Sequence, residues 1–153
     1  SATTRKPREG EIDGVHYYFK TRDEFDELIA CDGLLEWATY AGNSYGTPRA
    51  AVEAKMAEGK QVILEIDVQG AFQIRDKIPE AHLVFIEPPS LEVLESRLRG
   101  RHTETEDVIA SRMEAAQVEL SRKMEYDIRV INDDLDEATS ELVAYVNEQA
   151  EQQ

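Results

Sequence analysis

Two arginines near the start of the chain have the spacing of an anion-binding site. Arg5 and Arg8 flank Pro7 after two threonines, and Tyr17 and Tyr18 follow a turn-rich connection. A guanidinium group offers parallel N–H donors that fit phosphate oxygens bidentately. The segment therefore predicts a fork for a doubly anionic group such as a phosphate. The alternative is a surface loop that carries ordinary charges.

A carboxylate on a predicted strand, Glu36, is a second candidate, and the segment that ends in Tyr45 and Thr47 follows it. A carboxylate accepts two adjacent N–H donors, which the N1–H and 2-amino edge of guanine presents, whereas adenine would meet it with a lone pair. The sequence therefore indicates that Glu36 reads guanine and that Thr47 donates to its O6. A solvated strand residue and a helix N-cap are the respective alternatives.

Glu65 and Asp67 end an apolar run, residues 61–67, that is typical of a buried parallel strand. Ligands of open α/β sheets collect at the carboxyl ends of the strands. Both carboxylates are therefore candidate functional groups. For Asp67 the alternative is a cap on the helix that follows.

Arginines also gather around Gly100, although the chain is strongly acidic. It has 17 Lys and Arg against 32 Asp and Glu, a net charge of −15. A mobile segment that carries arginines can close on a polyphosphate and stabilise the charge that develops during transfer. A solvated helix end, where cations complement the helix dipole, is the alternative. The arginines of this group are Arg97, Arg99, Arg101 and, further on, Arg112.

The composition disfavours several other functions. An acidic surface argues against nucleic acid or an anionic membrane as the main partner. The single cysteine, Cys31, rules out an internal disulfide and agrees with a reducing compartment. His16, His82 and His102 are scattered, so no metal cluster is predicted. No apolar run approaches membrane-spanning length.

Alternating helices and apolar strands must position these side chains. The predicted helices begin near Thr21 and Thr47, cover residues 69–77, 91–98 and about 105–124, and end with one that Asp134 starts. The predicted strands are residues 34–41, 61–67, 82–87 and 126–131, and residues 42–46 are predicted to form a turn. This alternation indicates an α/β domain with a parallel sheet.

Several segments, in this order, resemble the guanylate kinases, P-loop nucleoside monophosphate kinases. They are SATTRKPREGEIDGVHYYF, LLEWATYAGNSYGTP, VILEIDVQGA, FIEPPSLEVLESRLRGR and VINDDLDEA, and the likeness runs from residue 1 to about residue 147. The resemblance implies a P-loop NTPase-type parallel sheet with flanking helices, a GMP-binding subdomain and a lid. It implies one domain over residues 1–153, with a GMP-binding region at 1–50, the core at 51–96 and 113–153, and the lid at 97–112.

The resemblance also implies transfer of the γ-phosphate of ATP to GMP, with Mg²⁺ that no dedicated protein cluster binds. On the GMP side it implies Arg5, Arg8, Tyr17 and Tyr45 at the phosphate, Glu36, Thr47 and Asp67 at guanine, Ser1 near the base, and Glu65 facing the nucleotide and Mg²⁺. On the ATP side it implies Arg97, Arg101 and Arg112 at the transferring phosphates and Asn132 near adenine. GMP and ATP are the expected partners, without nucleic acid or membrane, and the expected location is cytoplasmic.

The chain departs from the family pattern at His102, where the lid usually has glycine, and at Glu87, where a small or apolar residue is usual. No G-x-x-x-x-G-K-[ST] occurs, and the family places this loop upstream of Ser1. We therefore expect a piece of a longer kinase, without its first strand, P-loop and first helix and inactive by itself. The alternatives are a protein-binding scaffold module without ATP turnover and a GMP-binding fragment. The complete inferred GMP set argues against the scaffold.

Overall fold

The computed structural model describes residues 1–40, 42–100 and 105–151. It divides the chain into two compact units, Ser1–Ala81 and His82–Gln153. The elements of both units are mixed α and β, as the sequence predicts. Among the described residues, no helix combines the length and apolar character needed to cross a membrane.

The first unit contains a four-stranded sheet, whose strands are β1 (Ala2–Thr3), β2 (Tyr18–Phe19), β3 (Leu34–Tyr40) and β4 (Asn43–Pro48). Their order in the sheet is β2-β1-β4-β3. β1 is parallel to β2 and antiparallel to β4, and β3 and β4 form an antiparallel hairpin.

The prediction of a turn over residues 42–46 is wrong, because only the start of that segment turns. Gly42 has φ +78°, a conformation that glycine adopts without strain. Asn43 already pairs with Tyr40, and the strand then continues to Pro48. The segment thus supplies the strand on which Tyr45 and Thr47 stand.

Helix α1 (Arg22–Ala30) begins after Thr21, where the sequence predicts a helix start, and the structure adds a capping box. The Thr21 hydroxyl accepts from the backbone N–H of Glu24, and the Glu24 carboxylate accepts from the backbone N–H of Thr21. The helix buries Phe25 completely against Ala2 and Leu34. This cluster joins α1 to strands β1 and β3.

Helix α2 (Arg49–Ala57) does not begin as predicted. Its N-cap is Pro48, without a side-chain cap hydrogen bond, whereas Thr47 belongs to β4. The reason is that β4 stays extended through Pro48, which pairs with Leu34 of β3. The Thr47 hydroxyl is therefore directed to another partner, described below.

The apolar run at residues 61–67 is not a strand in this structure, which contradicts the prediction of a buried parallel strand. No described strand pairs with it, and a strand needs a ladder of hydrogen bonds with a neighbour. The run is extended and packs Val62, Leu64 and Ile66 against the cluster of Leu35, Val52 and Ile74, while Ile63 is 70% exposed. It leads into helix α3 (Val68–Lys77).

The second unit contains the predicted parallel pair, β5 (Val84–Glu87) and β6 (Ile128–Ile131). Its helices are α4 (Leu91–Gly100), α5 (Glu106–Ser121) and α6 (Leu135–Glu151), with a short 3₁₀ helix at Lys123–Glu125. Asp134 caps α6 as expected, and Ser90 caps α4. The predicted helix over 105–124 ends at Ser121, because the chain turns there to enter β6, and Met124 is 73% exposed.

We expect Phe25→Ala to destabilise the protein by about 3–5 kcal/mol, because the ring is fully buried and truncation leaves a cavity. Chemical denaturation would measure the change. Val15→Ala is the control, since Val15 is 72% exposed and its loss should cost less than about 0.5 kcal/mol. Equal losses for the two variants would contradict the assignment of the core.

Candidate functional site

A buried carboxylate, Glu36, lies at the centre of the candidate site. It is 5% exposed, and the hydroxyl of Thr47 donates to its Oε1 over 2.6 Å. The register of the hairpin shifts between Leu34 and Trp37, an irregularity that redirects side chains along β3. The structure therefore brings together two residues that the sequence assigned to guanine. Glu36 is not a solvated strand residue, and Thr47 is not a helix cap.

Burial raises the pKa of the Glu36 carboxyl, and the negative charge of Asp67 acts in the same direction. The hydrogen bond from Thr47 opposes part of this shift, because it favours the anion. The charged form of a buried carboxyl group is stabilised by any ligand that brings N–H donors to it. The site thus suits the donor edge of a base.

Asp67 is the N-cap of α3, and its Oδ1 accepts from the backbone N–H of Gly70 over 2.8 Å. The capping alternative for Asp67 is therefore confirmed, and the residue is exposed. Glu65 is exposed on the extended segment before α3. Ser1 is also exposed, and its carbonyl accepts from the backbone N–H of Tyr18.

The predicted phosphate fork contains a residue that the sequence analysis missed, Glu11. Arg5 donates through Nη1 and Nη2 to the two oxygens of Glu11, each over 2.9 Å, and the side chains are 14% and 18% exposed. Glu11 also accepts from the backbone N–H of Arg8 over 2.7 Å. The hydrogen bonds from Arg5 and then Arg8 lower the pKa of Glu11 to about 2, so it stays charged at neutral pH.

Aromatic rings also lie close to the Arg5 guanidinium. Its Cζ lies 5.3 Å from the ring centroid of Tyr17 and 5.8 Å from that of Phe19. The rings of Tyr17 and Tyr45 are 6.4 Å apart. The structure therefore assembles Arg5, Tyr17 and Tyr45, while the side chain of Arg8 is exposed beside them.

Strand β4 connects the fork to Glu36. Tyr45 and Thr47 stand two residues apart on β4, so their side chains lie on the same face of the sheet. Two residues of a strand span about 7 Å. Tyr45 faces the arginine fork and Thr47 faces the buried carboxylate. The two groups are thus neighbours on one surface of the first unit.

The second unit has a cavity of about 220 Å³ where β5, α4 and the end of β6 meet, and it contains Arg97 and Asn132. Arg97 Nη1 donates to the carbonyl of Asn132 over 2.7 Å. The structure therefore brings together two of the four residues that the resemblance assigns to the ATP side. Glu87, which also lines the cavity, is buried and accepts from Lys123 Nζ over 2.5 Å.

The structure does not place the other arginines of the predicted lid at this cavity, as far as the described residues go. Arg99 pairs with Glu95 and Glu106, as the solvated helix-end alternative predicts. Arg112 is exposed on α5, and Arg101 and His102 lie outside the described residues. In the part of the chain that the structure describes, no group of three or more acidic, His or Cys side chains could hold a metal ion.

Glu36→Gln provides a test of the buried carboxylate by its pH dependence. A raised folded-state pKa means that the stability tied to the proton on Glu36 is full below the unfolded pKa and is lost as pH rises through the folded pKa. We therefore expect the melting temperature of Glu36→Gln, relative to the unchanged protein, to increase between pH 4 and pH 7. The same difference at both pH values would contradict the assignment.

The sequence is similar to a family of known proteins. A model of the guanylate kinase family matches residues 1–149. The guanylate kinase of Synechocystis sp. is 55% identical over 149 residues, which cover 97% of this chain and 78% of the relative. That of Streptomyces coelicolor is 52% identical over 147 residues, 96% of this chain and 75% of the relative.

A solved structure gives the same result for the fold. The crystal structure of guanylate kinase from Anaplasma phagocytophilum matches with a TM-score of 0.77 at 33% identity. The match covers 97% of this chain and 73% of that one.

Proposed function

The chain belongs to the guanylate kinase family, and we propose that its Ser1–Ala81 unit binds GMP at the two neighbouring groups on strand β4. The reaction is that of a guanylate kinase, which transfers the γ-phosphate of ATP to GMP and gives ADP and GDP. The comparisons do not support the scaffold alternative. The observation that carries the assignment is the placement of Tyr45 and Thr47 on one face of β4, because GMP also presents a phosphate and a base separated by one sugar.

On the base side, Glu36 accepts from the N1–H and the 2-amino group of guanine. Each bond to a charged acceptor contributes about 1.5–3 kcal/mol. The Thr47 hydroxyl has a single proton and donates it to Glu36 here, so in this arrangement Thr47 orients the carboxylate. Its predicted donation to O6 would require the hydroxyl to turn. Asp67 and Ser1 complete the base side.

On the phosphate side, Arg5 and Arg8 supply the positive charge and Tyr17 and Tyr45 supply hydroxyl groups. Glu11 occupies the Nη1–Nη2 end of the Arg5 guanidinium, so a phosphate would approach Arg5 from its Nε side. Arg8 uses its backbone N–H for Glu11, and its exposed side chain can reach toward the ligand. The fork thus has one ordered arginine and one exposed arginine.

On the ATP side, we assign Asn132 to the adenine region and Arg97, Arg101 and Arg112 to the transferring phosphates. The cavity that contains Arg97 and Asn132 supports the first two of these assignments. Mg²⁺ binds by one or two carboxylates together with substrate phosphates and water, so it needs no dedicated protein cage. Glu65 is exposed, and its carboxylate is a ligand of the type that Mg²⁺ prefers. We propose that the enzyme is cytoplasmic and that GMP and ATP are its two substrates.

A coupled assay for ADP formation tests the proposed activity in the intact protein. We expect turnover with ATP and GMP, and little with AMP. Glu36→Gln should lower kcat/KM for GMP by about tenfold or more, because an amide presents an N–H to one of the guanine donors. GMP preference over AMP that survives unchanged in this variant would exclude Glu36 as the reader of the base.

Arg8→Ala tests the phosphate fork. Loss of a charged hydrogen bond should weaken GMP binding by about ten- to a hundredfold, measured by calorimetry. Binding of guanosine, which has no phosphate, should not change. Lys6→Ala is the matched control, since it removes an exposed cation of the same loop. Equal GMP affinity in Arg8→Ala and the unchanged protein would remove Arg8 from the site.

A further inference from the structure

Helix α3 is attached to the outer edge of β3 at three points. Gly70 lies against Glu36, the Gln73 side chain pairs with the backbone of Trp37, and Lys77 Nζ donates to the carbonyl of Leu34 over 2.9 Å. Positions 70, 73 and 77 lie on one face of a helix. Because β3 is at the edge of its sheet, these groups take the place of a neighbouring strand.

The attachment at Gln73 has two hydrogen bonds. Its Nε2 donates to the carbonyl of Trp37 over 2.8 Å, and the backbone N–H of Trp37 donates to its Oε1 over 3.1 Å. Trp37 directly follows Glu36 in the sequence. The amide of Gln73 therefore fixes the backbone of β3 at the residue next to the buried carboxylate.

The attachment at Gly70 is a close approach. A Cβ atom built at Gly70 would lie 2.7 Å from Oε2 of Glu36 and 3.3 Å from its Cδ. The backbone of Gly70 is helical, so its conformation does not demand glycine, and space is what excludes a side chain. The other oxygen, Oε1, accepts from Thr47. The carboxylate is thus held between Thr47 and the surface of α3.

We propose that Gly70 and Gln73 are positioning residues for guanine selectivity, which set the location of the Glu36 carboxylate by docking α3 on the edge of β3. This inference depends on the proposed role of Glu36 in reading guanine. Gly70 leaves room for the carboxylate, and Gln73 fixes the strand that carries it. Neither residue needs to touch the nucleotide.

The inference separates stability from selectivity. Alanine is a better helix former than glycine, so Gly70→Ala does not weaken α3 through its helix propensity. The atom that a methyl group would displace is the end of a flexible side chain, so the fold can accommodate the change by moving the carboxylate. Moving the carboxylate changes the hydrogen bonds that it can offer to a base. The loss should therefore appear in nucleotide preference.

The experiment is calorimetry on the intact protein with GMP and IMP, which lacks the 2-amino group. We expect Gly70→Ala to lower the preference for GMP over IMP by about tenfold or more, with a melting temperature close to that of the unchanged protein. Asp76→Ala is the control, since Asp76 is exposed on the same helix. It should preserve both values.

A double-mutant cycle tests whether Gly70 acts through Glu36. Glu36→Asp shortens the side chain by one methylene and removes the overlap with a side chain at position 70. Gly70→Ala should therefore have no further effect on selectivity in the Glu36→Asp background. Additive losses would show that Gly70 acts by another route and would overturn the inference.

Gln73→Leu is the second variant, and it keeps the inference testable if Gly70→Ala does not fold. It removes both bonds to Trp37 at similar side-chain length and should also lower the preference for GMP over IMP. If both variants keep this preference while Glu36→Gln loses it, the positioning role is wrong and the base reader stands. If Glu36→Gln also keeps it, the proposed function of Glu36 fails, and the inference fails with it.

Discussion

The hydrogen bond from Thr47 to the buried carboxylate of Glu36 is the interaction on which the rest of the site depends. A carboxylate at 5% exposure has lost most of its water, which is costly unless other donors replace it. The donor is available only because β4 remains extended through Thr47 and Pro48. The hairpin, the register shift of β3 and the docking of α3 therefore all help to set the position of the Glu36 side chain.

In the arginine fork it is a positive charge, that of Arg5, that neighbouring groups stabilise. In a chain of net charge −15, an isolated cation at the surface readily finds an acidic partner. Arg5 pairs with Glu11 and is also held by the rings of Tyr17 and Phe19, so its position is defined before any ligand arrives. Arg99 pairs with acidic residues on exposed helix surface, where such pairs contribute little. Ion pairing alone therefore does not distinguish Arg5 from Arg99, whereas the aromatic neighbours of Arg5 do.

Local chemistry decides which features the sequence predicts correctly. The caps at Thr21 and Asp67 depend on residues only a few positions away, and both are confirmed. Thr47 followed by proline has the same local pattern as a helix start, but the pairing of its neighbours Gly46 and Pro48 with β3 overrides that pattern. Residues 61–67 have the composition of a strand, yet strand formation needs a partner that local sequence cannot supply. The close approach at Gly70 is likewise visible only in three dimensions.

At the guanine site that we propose, the protonation state of Glu36 links the burial of its carboxyl group to the choice of base. As an anion the carboxylate is acceptor-only, and it suits the N1–H and 2-amino donors of guanine. As a neutral acid it would gain an O–H donor, which the N1 lone pair of adenine could accept, so discrimination against adenine would fall. Burial favours the neutral acid, whereas donation from Thr47 favours the anion. Guanine donors would lower the pKa further, because they too bond to the anion. At the guanine site that we propose, Thr47 therefore contributes to selectivity through the charge of Glu36 as well as through the orientation of its carboxylate.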